Sequence, residues 1–158
     1  MPQTKHGYTL VELLIVITLT ALLITAGISA YSKAADIQAS KSATETILTT
    51  LTSAQKAATS GKNDCTGAYL GEIITTTSGS SAMTITSSCQ GGGGVTREVS
   101  LNTFTFATTT NITFRPLNQG VDTGLADFQY LDYTNSSETY RIQIDRTGAI
   151  KPQGKISQ

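Results

Sequence analysis

One carboxylate stands inside the apolar segment near the start of the chain. Glu12 is the only charged residue between His6 and Lys33. A carboxylate at bilayer depth costs about 2.5–3.5 kcal/mol on insertion scales, so such a residue usually marks a function. Burial becomes tolerable when the carboxylate pairs with a cation. Glu12 is therefore the first candidate functional residue.

The other residues that could do chemistry are few. The chain has one histidine, His6, and two cysteines, Cys65 and Cys89. A four-ligand zinc site would need carboxylates in addition to these three side chains. A serine–histidine or cysteine–histidine pair would need His6, which the apolar segment separates from the rest of the chain. The sequence therefore predicts no catalytic residue, no metal site, no cofactor and no enzymatic activity.

Composition supports this interpretation. The 158 residues include 11 basic and 11 acidic side chains, so that the formal net charge is zero. The chain has no basic excess of the kind that would indicate nucleic acid as a partner. Charged residues make up only 14% of the chain, and serine, threonine and glycine are abundant. This polar but uncharged texture is typical of an exported protein or of a β-rich domain that faces its own copies.

The apolar segment is long enough to cross a membrane. Residues 8–30 would form a helix of about 34 Å, against a bilayer core of roughly 30 Å. Lys5 and the initiator amine precede it, so the positive-inside rule places the N-terminus in the cytoplasm and everything after residue 30 across the membrane. A cleaved secretory signal with its site in residues 26–30 is the alternative. Glu12 and the length of the segment count against that alternative.

The residues around Glu12 form a motif. Gly7-Tyr8-Thr9-Leu10-Val11-Glu12-Leu13 resembles the processing motif of type IV pilins and type II secretion pseudopilins. The resemblance implies that a prepilin peptidase removes residues 1–7 by cutting between Gly7 and Tyr8. It also implies N-methylation of the new terminal residue, Tyr8.

The same resemblance implies a role for Glu12. The new amine of Tyr8 would remain cationic after methylation. Glu12 lies four residues further on, one helical turn away, and could reach that amine in the same chain or in a neighbouring one. Glu12 would then set the register between subunits in a filament. The alternative is a glutamate that merely extends towards water near a membrane edge.

A helical pattern continues beyond the apolar segment. Ile47, Leu51, Ala54 and Ala58 recur at helical spacing and predict one buried stripe. Gly61 is a plausible stop, so we predict one long helix from about Thr9 to Ser60. Two helices broken near Gly27 or Ser32 are the alternative. Many major pilins have a kinking proline near this point, whereas this chain has Gly27 and Ser29.

The texture after residue 61 is that of β-structure. Apolar residues alternate with polar ones in several short runs. These runs are centred on Val95–Leu101, Phe104–Phe106, Ile112–Phe114, Phe128–Tyr130 and Tyr140–Ile144. We predict six to eight short strands in two small antiparallel sheets, packed on the helix in an α+β, type IV pilin-like fold. The predicted organisation is a leader at 1–7, a transmembrane and assembly helix at 8–30, and a globular domain at 31–158, helical over 31–61 and β-rich over 62–158.

Cys65 and Cys89 lie outside the membrane in this topology, where disulfides persist. We therefore predict that they form a disulfide. Closing a loop of this length would stabilise the fold by roughly 3 kcal/mol in the chain-entropy model. Two free buried thiols are the alternative.

The C-terminal half narrows the resemblance. "NITFRPLNQG" and "YRIQIDRTGAIKP" resemble the GspH/FimT group of minor pilins and pseudopilins. This implies a non-enzymatic subunit stored in the bacterial inner membrane, with its globular domain periplasmic or extracellular, that joins a filament at or near the tip. The implied partners are other pilins or pseudopilins, prepilin peptidase and an inner-membrane assembly platform. Either a secretion pseudopilus or a type IV pilus would fit.

Two alternative functions remain within the family. One is a major structural pilin. The other is a DNA-binding minor pilin, in which Arg146, Lys151 and Lys155 would make a weak, salt-dependent contact. DNA-binding members that resemble this group carry a Gly-Arg-x-Arg segment. The matching stretch at residues 148–151 is Gly-Ala-Ile-Lys, which lacks both arginines.

Overall fold

A computed structural model describes residues 9–61, 65–116, 119–123, 126–135 and 138–156. One helix, α1 (Leu10–Ser60), is followed by nine strands. The strands in the described ranges are β1 (Tyr69–Thr76), β2 (Ala82–Cys89), β3 (Thr96–Ser100), β4 (Thr105–Phe106), β5 (Thr110–Phe114), β6 (Val121–Asp122), β7 (Phe128–Thr134), β8 (Thr139–Asp145) and β9 (Ile150–Ile156). The chain divides into two compact units between Lys41 and Ser42.

Helix α1 confirms the predicted long N-terminal helix. It is uninterrupted at Gly27 and Ser32, the two positions at which a break was the alternative. The helix ends before Gly61, whose φ of +61° is the left-handed conformation that glycine adopts most readily at a helix C-terminus. A run of 51 residues is far longer than an average helix of 11–12 residues.

The strands form two antiparallel sheets, as predicted. The five-stranded sheet has the order β3-β2-β1-β5-β6, and the four-stranded sheet has the order β4-β7-β8-β9. Within the unit that begins at Ser42, the helical stripe is buried, with Ile47, Leu51 and Ala54 completely inaccessible. The rest of the core comes mainly from the sheets and includes Ile74, Met83, Ile85, Phe104, Phe106, Ile112, Phe114, Leu131, Tyr133, Ile142 and Ile144.

Two details of the strands differ from the sequence interpretation. The described residues contain nine strands rather than six to eight. Strands β1 and β2, at the centre of the larger sheet, were not among the alternating runs, because threonine and serine occupy many of their positions. In β7 the expected buried pair, Phe128 and Tyr130, is 44% and 42% exposed. Leu131 and Tyr133 are buried instead, so β7 turns its other face to the core.

A disulfide joins Cys65 to Cys89, which confirms the predicted pairing. The bond connects the segment before β1 to the last residue of β2. Strand β1 contains a bulge between Tyr69 and Gly71, and a Cβ atom at Gly71 would clash with the carbonyl oxygen of Phe114. The close approach of the backbones therefore requires glycine at this position.

Candidate functional site

The helix begins at a side-chain cap. The backbone N–H of Glu12 donates to Oγ1 of Thr9 at 3.2 Å, and the N–H of Leu13 donates to the carbonyl oxygen of Thr9 at 3.2 Å. Threonine followed three residues later by glutamate is the sequence pattern of a capping box. Sequence reasoning missed the role of Thr9, although this spacing was a signal for it. The motif around Glu12 therefore also determines where the helix starts.

Glu12 lies in the first turn of α1 and is exposed. A carboxylate at this position is favoured by the partial positive charge of a helix N-terminus. Gly7 and Tyr8 lie outside the described residues, so cleavage between them and the pairing of Glu12 with the amine of Tyr8 stay predictions. The helix starts at Leu10, so Glu12 lies within the first turn of the helix.

The first half of α1 has an apolar surface. Every large apolar side chain from Leu10 to Ile28 is between 51% and 79% exposed, and Tyr31 and Ile37 further along are 77% and 57% exposed. The most apolar window of 18 residues has a mean hydropathy of 2.4, and none of it is buried. The helix is thus long and apolar enough to cross a membrane, by length and composition.

Three threonines in this segment have their hydroxyl groups bonded within the helix. Each donates to a carbonyl oxygen one turn earlier: Thr18 to Leu14 at 3.1 Å, Thr20 to Val16 at 2.8 Å and Thr25 to Ala21 at 3.1 Å. In lipid, a hydroxyl without a partner would be costly, and bonds of this kind remove that cost. These three threonines are therefore compatible with a lipid environment.

Two of the three cations considered for DNA do not share a face of their sheet. On β9, Lys151 pairs with Gln143 and Lys155 with Tyr140 of β8. Directly opposed residues share a face of an antiparallel sheet, and positions 140 and 143 of one strand point to opposite faces. A bulge in β9 therefore places Lys151 and Lys155 on different faces of the sheet.

Two of these cations also have carboxylate partners within the chain. Nζ of Lys155 lies 2.7 Å from Oε1 of Glu138, and the hydrogen bond between them raises the pKa of Lys155 and lowers that of Glu138. The guanidinium of Arg146 lies 3.7 Å from the carboxylate of Asp127. DNA would have to compete with both carboxylates. In the part of the chain that the structure describes, no group of three or more histidine, cysteine, aspartate or glutamate side chains could hold a metal ion.

Comparison with known families decides what the N-terminal segment is. Residues 3–28 match the family model of the prokaryotic N-terminal methylation motif. The chain carries the type IV pilin signature. The match covers 26 of the 158 residues, so it identifies the N-terminal segment and not the rest of the chain. No curated protein and no solved structure matches the chain.

The pilin signature and the helix agree with each other. The matched residues include the cap at Thr9, the carboxylate of Glu12 and most of the exposed apolar surface. Together they indicate an N-terminal methylation motif on a helix that is long and apolar enough to cross a membrane. The helix followed by two antiparallel sheets is an α+β layout consistent with a type IV pilin-like fold.

Proposed function

We propose that this chain is a minor pilin or pseudopilin that joins a type IV pilus or a type II secretion pseudopilus through α1. The observation that carries the proposal is an apolar helical segment that lies within the methylation motif match and is exposed among the residues that the structure describes. A surface of this size needs an apolar environment. Lipid supplies it during storage, and the helices of neighbouring subunits supply it in the filament.

In this proposal the chain passes through two states. Prepilin peptidase removes residues 1–7, and the amine of Tyr8 is methylated. Residues 8–30 then anchor the subunit in the bacterial inner membrane, with residues 31–158 periplasmic or extracellular. An inner-membrane assembly platform moves the helix from lipid into the filament.

In the filament, Glu12 sets the register between neighbouring subunits. The cationic amine of Tyr8 in one subunit pairs with the carboxylate of Glu12, in its own chain or in the next. Removing one partner from a buried ion pair costs about 3–5 kcal/mol, because the other charge stays buried without compensation. A subunit out of register would lose the pair and would be rejected. The cap at Thr9 supports this role, since it fixes where the helix that carries Glu12 begins.

The resemblance of the later strands to the GspH/FimT group supports a position at or near the tip. A tip subunit is rare in the filament, and its loss abolishes piliation or secretion. A major pilin, which is the alternative, would be abundant and would form filaments alone. Counting subunits per filament by quantitative mass spectrometry separates the two. DNA binding is not offered as a second function, because Lys151 and Lys155 lie on different faces of their sheet.

Glu12→Gln tests the proposal, because it keeps the shape of the side chain and removes its charge. We expect normal cleavage and membrane insertion, with loss of the subunit from sheared filaments. Glu45→Gln is the matched control, since Glu45 is an exposed glutamate further along the same helix. It should assemble normally. Glu12→Asp should retain partial assembly. If Glu12→Gln entered filaments at the wild-type level, the ion-pair account would be wrong.

A further inference from the structure

Two aromatic side chains lie exposed on the outer face of the four-stranded sheet. Phe128 and Tyr130 in β7 are 44% and 42% exposed. They alternate with Leu131 and Tyr133, which face the core. Phe128 and Tyr130 therefore share the outer face, about 7 Å apart along the strand. The proposed assembly through α1 makes no use of this surface.

The ring of Tyr130 is covered on one side by a fixed cation. The guanidinium of Arg141 lies 4.6 Å from the ring centroid. Asp132 holds that guanidinium through two hydrogen bonds of 2.7 Å, to Nε and Nη2. Gly154, opposite Arg141 in β9, has no side chain, and a Cβ atom there would have nothing within 4 Å. The surface next to Arg141 is therefore open.

Polar groups surround the aromatic rings. Gln143 lies directly opposite Tyr130, and Lys151 lies directly opposite Gln143, so all three share the outer face. Nε2 of Gln153 donates to Oε1 of Gln143 at 2.8 Å. The face thus combines two flat apolar rings with a rim of amide, guanidinium and hydroxyl groups.

The charges on this face balance one another. Arg141 is paired with Asp132. Asp145, the residue opposite Phe128, has its pKa lowered by hydrogen bonds from Thr147 and Ala149 and, to a smaller extent, by the charge of Lys151. A surface for single-stranded nucleic acid combines aromatic rings with a clear excess of positive charge. A stable protein interface needs about 800 Å² on each partner with an apolar centre. Here only two rings are apolar, and polar side chains lie beside them.

We propose that this outer face binds a neutral glycan. A sugar ring presents C–H groups on its flat sides and hydroxyl groups around its edge. The C–H faces of two neighbouring sugars would stack on Phe128 and Tyr130, whose rings are apolar and of fixed geometry. The hydroxyl groups would bond to Arg141 and to the amides of Gln143 and Gln153. Sugar binding across the strands of a sheet is known in other β-folds.

The test uses the full chain in detergent micelles with three neutral hexasaccharides, of glucose, N-acetylglucosamine and mannose. Isothermal titration calorimetry should detect binding of at least one. Tyr130→Ala should weaken that binding about tenfold, the factor that corresponds to one aromatic stacking contact. Tyr130→Phe keeps the ring and should retain most of the affinity. Tyr31→Ala, at an exposed tyrosine in α1, is the control and should have no effect.

Three results would overturn the proposal. The first is absence of binding to all three sugars. The second is binding that Tyr130→Ala and Phe128→Ala leave unchanged. The third is preference for another class of ligand. If the chain bound a fifteen-nucleotide oligothymidylate and Lys151→Ala removed that binding, the face would be assigned to nucleic acid. If the chain bound no sugar and the Tyr130→Ala variant were lost from filaments, the face would be assigned to a protein partner.

Discussion

In the first half of α1, Leu14 and Ile17 are 57% and 58% exposed, whereas Ile47 and Leu51 in the second half are completely buried. The side chains are of the same type and belong to one helix. What differs is the pattern around them. The first half is apolar on all sides, and the second is apolar along one stripe. The first segment of the helix thus exposes its apolar side chains, whereas the second segment packs its apolar stripe into the core.

Leu51→Ala compared with Leu14→Ala tests this difference most strongly. Leu51→Ala should lower the free energy of unfolding by about 2–5 kcal/mol, because it leaves a cavity in the core. Leu14→Ala should leave that value nearly unchanged, since its side chain is 57% exposed and does not belong to the buried core. Thermal unfolding of the full chain in detergent measures both. Equal losses would show that the first half is also part of the folded core.

The disulfide should affect only the unit that contains the sheets. A Cys65→Ser, Cys89→Ser double variant should lose roughly 3 kcal/mol of stability, because the bond joins residues 24 positions apart. Reductant should produce the same loss in the wild type and none in the double variant. A double variant as stable as the oxidised wild type would mean that the bond does not constrain this fold.

A smaller effect is expected at a buried hydroxyl group. Oη of Tyr133 lies 2.6 Å from Oγ1 of Thr44, which links β7 to the second half of α1. Tyr133→Phe should cost about 1 kcal/mol, the usual net value of such a hydrogen bond. Tyr31→Phe in the first half should cost nothing, since Tyr31 is 77% exposed. Urea unfolding of the two variants gives the comparison, and an equal change at both positions would contradict it.

The sequence predicted the helix well and the sheets in part. The stripe at Ile47, Leu51, Ala54 and Ala58 could be predicted because helical spacing of apolar residues depends only on the local sequence. The Thr-x-x-Glu spacing that caps the helix was also present in the sequence but was not used.

The remaining features depend on tertiary context. Strands β1 and β2 carry few large apolar residues, and their threonines, which favour strands, were the available signal. Period-two patterning in β7 could not decide which face is buried. Neither could the sequence indicate the bulge that separates Lys151 from Lys155, because it arises from the pairing of β9 with β8.

The central claim is that the N-terminal segment is processed as a pilin and retained for assembly. Intact-mass and terminal-peptide mass spectrometry of the protein extracted from membranes tests it most directly. The account predicts a chain that begins at Tyr8 and carries one N-methyl group, with residues 8–30 still attached. An intact leader, or a terminus near Ala30 as a secretory signal peptidase would leave, would contradict it.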